Sequence, residues 1–237
     1  MLTLDIKGTL AKVITPSFGI PDQEFSTIRS LIRRYTEDWL QEREKGEHAW
    51  SMTPYDKPAV KQVQEIAKKA KIDGIKTIVW IGIGGSGLGP RVIQEAFESP
   101  LSPEFVLIDS IDPHTIAMHA AMIDWKSAMI VVVSKSGGTL ETMSAFFALY
   151  EKLKTAVRFN PGSRVVAITD PHTGPLRSFA LDQRMTVLPI PPNVGGRFCI
   201  FTPVGLLSLA LLSGDVTAFC RGAKEMDTHC QETTLAK

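Results

Sequence analysis

Five short apolar runs, rich in valine and isoleucine, constrain the fold of this 237-residue chain more than any other feature of its sequence. Each run is continuous rather than alternating, as expected for strands that are buried on both faces of a parallel sheet. Segments of helical length separate the runs, and this alternation is typical of a three-layer α/β sandwich. The predicted strands cover residues 77–83, 105–108, 129–133, 165–168 and 187–190, and the predicted helices between them cover 90–98, 113–122, 140–154 and 175–181.

Proline and methionine positions refine this prediction. Pro189 lies in the fifth run and places that strand at an edge of the sheet, because proline cannot donate a ladder hydrogen bond. Met118 and Met122 are four residues apart on one predicted helix, so we expect both to pack in the core.

Helical segments precede and follow the predicted sheet. Apolar residues at three- and four-residue spacing predict amphipathic helices over 25–39 and 60–71. An apolar helix is predicted over 202–212 and an amphipathic one over 216–231. These last two helices have no strands of their own, so they must pack on the sheet domain or on something outside this chain.

The composition argues against several classes of function. With 26 basic and 25 acidic side chains the formal charge is +1, which gives no support for bulk electrostatic capture of nucleic acid or of a membrane. The most apolar run, 204–212, is far shorter than the ~20 residues of a membrane-spanning helix. The three cysteines form no C-x-x-C pair, so we expect a cytoplasmic protein without a disulfide framework or a metal site.

Two loops at the carboxyl ends of predicted strands suit a bound anion. The glycine loop, residues 82–89, follows the first strand and contains five glycines and Ser86. The hydroxyl loop, residues 134–139, follows the third strand with the sequence Ser-Lys-Ser-Gly-Gly-Thr. Ligands of open parallel sheets bind beyond the carboxyl ends of the strands, where glycine backbone and helix N-termini offer N–H donors. We therefore predict a phosphate site built from both loops.

Two other interpretations of these loops stay open from the residues alone. Small polar residues also make ordinary tight turns and helix N-caps. The glycine loop in addition matches the dinucleotide fingerprint G-x-G-x-x-G, and Asp109 follows the second strand where a ribose-binding acid would be expected. The hydroxyl loop has no role in that fingerprint, whereas two neighbouring hydroxyl-rich loops suit one compact phosphate.

Three blocks, occurring in order, resemble the glucose-6-phosphate isomerase family of the sugar-isomerase (SIS) fold group. The blocks are residues 81–90, residues 134–142 and the arginine turn Gly195-Gly196-Arg197-Phe198. The resemblance implies interconversion of glucose 6-phosphate and fructose 6-phosphate through a cis-enediol, without a metal or organic cofactor. It further implies a homodimer that acts on a sugar phosphate and binds neither nucleic acid nor a membrane.

The resemblance also implies a role for each matched residue. The implied phosphate ligands are Ser86, Ser134, Lys135, Ser136 and Thr139. Gly84 and Gly85 would allow close approach of the sugar, and Arg197 would stabilise the enediol intermediate. Glu141 would act as an acid at a helix N-terminus that supports the phosphate loop rather than as the base.

Two departures from the family pattern qualify these expectations. Cys199 follows the arginine turn where the family has serine or threonine, so we expect a small difference in local packing. No block matching the family's catalytic glutamate, histidine or lysine follows Arg197.

We therefore expect the amino-terminal half of such an enzyme, inactive by itself, with three parts. These are a helical segment (1–56), a SIS domain (57–192) and the start of a second, incomplete SIS domain (193–237). The alternatives are a non-catalytic phosphosugar-binding module and, with less support, an NAD(P)-binding oxidoreductase domain.

Overall fold

The computed structural model describes residues 5–231, apart from the side chains at positions 25, 26, 29 and 30. The described residues form two compact units: one contains residues 5–47 together with 225–231, and the other contains residues 48–224. The second unit carries the sheet and every residue of the predicted site.

A five-stranded parallel sheet forms the centre of the second unit. Its strands are β1 (Thr77–Ile81), β2 (Glu104–Ile108), β3 (Ala128–Ser134), β4 (Val165–Thr169) and β5 (Thr186–Pro189). The strand order is β2-β1-β3-β4-β5, and all neighbouring pairs are parallel. The predicted α/β fold with five parallel strands is confirmed, and so is the edge position of the strand that contains Pro189.

Helices of the second unit cover both faces of this sheet. In chain order the helices are α1 (Asp22–Glu44), α2 (Lys57–Ile72), α3 (Gly85–Phe97), α4 (Pro113–Met122), α5 (Leu140–Ala156), α6 (Pro175–Asp182), α7 (Pro203–Leu211) and α8 (Val216–Cys230). Residues of α2, α3, α7 and the first half of α8 share one apolar core with one face of the sheet. Residues of α5 and α6 share a second core with the opposite face. Every residue of β1 and β3 is buried between these layers, as the continuous apolar runs predict.

Helix α3 begins five residues earlier than predicted. The sequence predicts its start at Pro90, because glycine and proline are both unfavourable within a helix. The structure starts the helix at Gly85, so Pro90 is its sixth residue and the second half of the glycine loop is helical. The reason is tertiary packing, since Gly85 and Gly87 allow backbone contacts that no side chain would permit.

The apolar segment predicted over 202–212 packs on the sheet domain. It forms α7, whose nine residues are all buried and which contacts α2 and α3 of the same unit. This packing decides between the two locations that the sequence left open for the segment. The assignment of residues 193–237 to a second domain stays a prediction.

In the other unit, Arg43 of α1 and Asp227 of α8 form a bidentate ion pair with N–O distances of 2.7 and 2.9 Å.

Within residues 5–231 no helix combines the length and apolar character needed to cross a membrane.

Candidate active site

The two predicted loops lie side by side at the point where the strand order reverses. Strands β1 and β3 are neighbours, with Ile81 paired to Val132. From β1 the chain passes outward to β2, whereas from β3 it passes to β4 on the other side. The crevice at such a switch point is the usual ligand site of an open parallel sheet. The glycine loop and the hydroxyl loop therefore occupy the position at which the fold favours a ligand.

The glycine loop presents the N-terminus of α3 to this crevice. Gly84 is the N-cap residue with φ 60° and ψ −127°, and Gly85 is the first residue of the helix. The carbonyl oxygen of Gly84 accepts hydrogen bonds from the N–H groups of Gly87 (3.0 Å) and Leu88 (2.8 Å). The N–H groups of Gly84 and Gly85 precede these bonds, so they belong to the donors that a helix leaves for a ligand.

The hydroxyl loop gathers three hydroxyl groups at the N-terminus of α5. The Ser134 Oγ lies 3.0 Å from the Thr139 Oγ1, which in turn lies 3.5 Å from the Ser136 Oγ. The Ser136 Oγ also accepts a hydrogen bond from the Gly138 N–H at 3.3 Å. Such hydroxyls can rotate from one another to an anion, because each is both a donor and an acceptor.

Lys135 joins the hydroxyl loop to the segment that leads into the arginine turn. Its ammonium Nζ donates to the carbonyl oxygens of Pro192 (2.7 Å) and Val194 (2.9 Å). An ammonium group has three donors, so one remains for an anion. The sequence predicts the phosphate role of Lys135 but not this structural one, because its acceptors are backbone carbonyls that leave no sequence pattern.

The arginine turn packs directly on the glycine loop. A Cβ atom placed on Gly85 would come within 2.1 Å of the Gly196 carbonyl oxygen and 3.2 Å of the Arg197 nitrogen. The Cys199 Sγ lies 2.8 Å from the Gly196 oxygen and 3.4 Å from the Gly85 oxygen. Burial raises the pKa of this thiol, which keeps it protonated and able to donate. The three sequence blocks thus meet in one place.

Arg197 is exposed in the short 3-10 helix Gly196–Phe201. Among the residues that the structure describes, no side chain forms an ion pair or hydrogen bond with its guanidinium. The neighbouring Phe198 stacks on Trp50 with 5.7 Å between ring centroids. The guanidinium is permanently charged, so a turn whose backbone packs on the glycine loop carries a cation without a charged partner among the described residues.

Two carboxylates at this edge of the sheet are weakened as general bases by hydrogen bonds that lower their pKa. Hydrogen bonds from the backbone N–H groups of His172 and Thr173 lower the pKa of Asp170. The hydroxyl and N–H of Thr115 lower the pKa of Asp112 in the same way. Glu141 is exposed in the first turn of α5, as expected for an acid at a helix N-terminus. In the described part of the chain, no group of three or more His, Cys, Asp or Glu residues could hold a metal ion.

Asp109 lies where the dinucleotide interpretation needs its ribose-binding acid, but it is already paired. Its carboxylate accepts a hydrogen bond from the Arg91 guanidinium at 2.7 Å. Because this ion pair occupies the Asp109 carboxylate, it disfavours a role for that residue in binding a ribose and so disfavours the dinucleotide interpretation.

Comparison with known proteins decides the family. The family model "Phosphoglucose isomerase" matches residues 59–237, which include both loops and the arginine turn. The chain belongs to the phosphoglucose isomerase family. It is 34% identical over 206 residues to "Glucose-6-phosphate isomerase" of Carboxydothermus hydrogenoformans, covering 82% of this chain and 44% of that protein. It is 34% identical over 187 residues to an enzyme of the same name from Thermus thermophilus, covering 79% of this chain and 43% of that protein.

Two solved structures share the fold of this phosphoglucose isomerase family member. A hypothetical protein of Thermus thermophilus superposes with a TM-score of 0.78 at 30% identity, over 87% of this chain and 49% of that one. A glucose-6-phosphate isomerase of Chlamydia trachomatis gives 0.63 at 28% identity, over 79% and 36%. The chain spans less than half the length of these relatives.

Proposed function

We propose that this chain supplies the phosphate site and the intermediate-stabilising arginine of an enzyme that interconverts glucose 6-phosphate and fructose 6-phosphate. The observation that carries the proposal is the meeting of three sequence blocks at the sheet's switch point, through the Gly85–Gly196 contact and the Lys135 hydrogen bonds. Family membership and the names of the relatives support the choice of reaction.

The proposed phosphate ligands surround the crevice from both loops. Ser86 and the N–H groups of Gly84 and Gly85 act from the start of α3. Ser134, Ser136 and Thr139 act from the start of α5, with the third donor of Lys135. The phosphate does not react, so its binding energy serves to hold the sugar carbons in place for proton transfer.

The proposed chemistry moves one proton between neighbouring carbons of the open-chain sugar. A base removes the proton from C2 of the aldose, and the electrons form a C1=C2 double bond while the O1 carbonyl oxygen becomes negative; a proton on O1 then gives the cis-enediol. The proton returns to C1 as the O2 hydroxyl loses its proton and becomes the carbonyl of the ketose. Negative charge develops on the sugar oxygens during this step, and the Arg197 guanidinium stabilises it without giving up a proton. We propose that the base lies outside this chain, since hydrogen bonds lower the pKa of Asp112 and Asp170 and so make both carboxylates weaker proton acceptors.

Three further features belong to the same proposal. The enzyme acts without a metal or organic cofactor, as a homodimer, and in the cytoplasm. The absence of a C-x-x-C pair among the three cysteines supports the cytoplasmic assignment, and membership of the family supports the other two.

A ligand-dependent unfolding experiment tests the proposal on the purified 237-residue chain. Fructose 6-phosphate and glucose 6-phosphate should raise the unfolding temperature in a concentration-dependent way, because only the folded state binds them. Fructose, glucose and NADPH at the same concentrations should not. Ser134→Ala should weaken phosphosugar affinity by about tenfold, the value of one hydrogen bond to a charged group, whereas Lys68→Ala on the exposed side of α2 should leave it unchanged.

Two results would overturn the proposal. Stabilisation by NADPH but not by phosphosugars would favour the dinucleotide interpretation instead. Measurable isomerisation by the chain alone, followed by a coupled assay, would show that the base is inside residues 1–237.

A further inference from the structure

Pro90 leaves a carbonyl oxygen of the glycine loop without its helical donor. It is the sixth residue of α3 and has no N–H to donate to the carbonyl four residues earlier, which belongs to Ser86. A proline ring inside a helix also clashes with the carbonyl four residues earlier and favours its displacement from the helix axis. Ser86 is the one side chain of the glycine loop that the proposed function assigns to the phosphate.

The indole of Trp80 supplies the missing donor. Its Nε1–H donates to the Ser86 carbonyl oxygen at 3.0 Å. Trp80 is 0% exposed in β1 and stacks on Phe105 with 5.7 Å between ring centroids. A buried indole N–H needs an acceptor as much as the displaced carbonyl needs a donor. Each group therefore satisfies the other.

The peptide unit between Ser86 and Gly87 is held at both of its polar atoms. Its carbonyl oxygen accepts from Trp80, and its N–H donates to the Gly84 oxygen at 3.0 Å. The carbonyl also lies against Gly82, where an added Cβ would come within 2.7 Å of the oxygen. While both hydrogen bonds persist, this peptide unit has few other orientations. Because the Cα atom of Ser86 lies in the same peptide plane, the direction in which the Ser86 side chain leaves the backbone is fixed as well.

We propose that Trp80 is a positioning residue of the phosphate site, whose indole N–H replaces the donor that Pro90 lacks and so orients Ser86 and the N-terminus of α3 toward the phosphate. The inference rests on the proposed function for the identity of the ligand. Trp80 itself lies beneath the loop in β1 and acts only through the Ser86 carbonyl.

A substitution pair separates this hydrogen bond from simple packing. Trp80→Phe removes the N–H and keeps an aromatic ring, so the affinity for inorganic phosphate and fructose 6-phosphate should fall by about tenfold. Adding Pro90→Ala gives α3 its own N–H for the Ser86 oxygen without refilling the space of the indole. The double variant Trp80→Phe/Pro90→Ala should therefore regain phosphate affinity while its unfolding temperature stays below that of the wild-type chain.

Trp125→Phe is the matched control. The Trp125 Nε1–H donates to the Ala120 carbonyl oxygen at 3.0 Å, on the face of the sheet that carries α5 and α6. This variant loses the same kind of hydrogen bond, so it should lower the unfolding temperature and leave phosphate affinity unchanged.

Amide hydrogen exchange at Gly87 and Leu88 gives a readout that needs no ligand. Exchange should be faster in Trp80→Phe and return toward the wild-type rate in the double variant. Unchanged exchange in Trp80→Phe, or lost affinity and fast exchange that Pro90→Ala fails to restore, would overturn the inference. If the wild-type chain binds neither phosphate compound, the proposed function fails, and the exchange rates alone decide whether Trp80 holds the loop.

Discussion

Gly85 is the residue at which one additional carbon atom would separate the glycine loop from the arginine turn. An added Cβ would lie 2.1 Å from a backbone oxygen of Gly196, and backbone cannot move aside as a flexible side chain can. Gly85→Ala should therefore lower the free energy of unfolding by about 1–3 kcal/mol through overpacking. It should also reduce phosphosugar affinity, because the two parts of the site move apart.

The control for Gly85→Ala is Gly89→Ala in the same helix. A Cβ on Gly89 meets no atom within 4 Å, so this change should raise helix stability by up to about 1 kcal/mol. Urea unfolding of both variants measures the difference. Equal effects of the two substitutions would contradict the close contact at Gly85.

Cys199 should make the free energy of unfolding depend on pH in the alkaline range. Burial raises the pKa of its thiol in the folded chain, whereas the unfolded chain titrates near the ordinary value of about 8.5. The stabilisation from this group is complete below that value and is lost as the pH rises toward the folded pKa. The free energy of unfolding should therefore fall above about pH 8.5, and it should fall less in Cys199→Ser because a serine hydroxyl does not ionise there.

Cys230→Ser is the reference for this pH profile, because Cys230 is exposed. Chemical unfolding between pH 7 and pH 10 should give the wild-type profile for that variant. The buried Cys220, whose pKa is also raised by burial, is present in all three proteins and cancels in the comparison. Superimposable profiles for Cys199→Ser and the wild-type chain would rule out the thiol as a source of the pH dependence.

The helices illustrate what apolar spacing can and cannot predict. The sequence predicts correctly that α7 is buried, because nearly all its residues are apolar. It predicts wrongly that Met118 and Met122 of α4 lie in the core, since they are 54% and 75% exposed. Spacing shows which residues share a face of a helix, but it does not show whether another layer of the fold covers that face.

Two substitutions by alanine, one in α7 and one in α4, test this difference in burial between the helices. Leu207 is completely buried, so Leu207→Ala should cost about 2–5 kcal/mol of unfolding free energy. Met122→Ala should change it by less than about 0.5 kcal/mol, as is usual for an exposed position. Denaturant unfolding of the purified variants provides both values, and a large loss in Met122→Ala would mean that α4 is covered in solution.

At the scale of the whole molecule, the sequence predicts the number and type of the strands but not every contact between their loops. Continuous Val and Ile runs indicate five buried parallel strands, and Pro189 identifies an edge. The contacts that join the site involve backbone oxygens of Ser86, Pro192 and Gly196. Every residue type carries such an oxygen, so only the folded chain reveals which ones meet.

The strand order also determines when a folding chain can first bind an anion. Parallel neighbours cannot be joined by a tight hairpin, so each pairing in this sheet closes a long crossover and forms slowly. The two loops follow β1 and β3, which are adjacent in the sheet although β2 lies between them in the chain. Anion affinity should therefore develop during refolding together with the pairing of β1 and β3, which makes a phosphate ligand a kinetic reporter of the central step in sheet assembly.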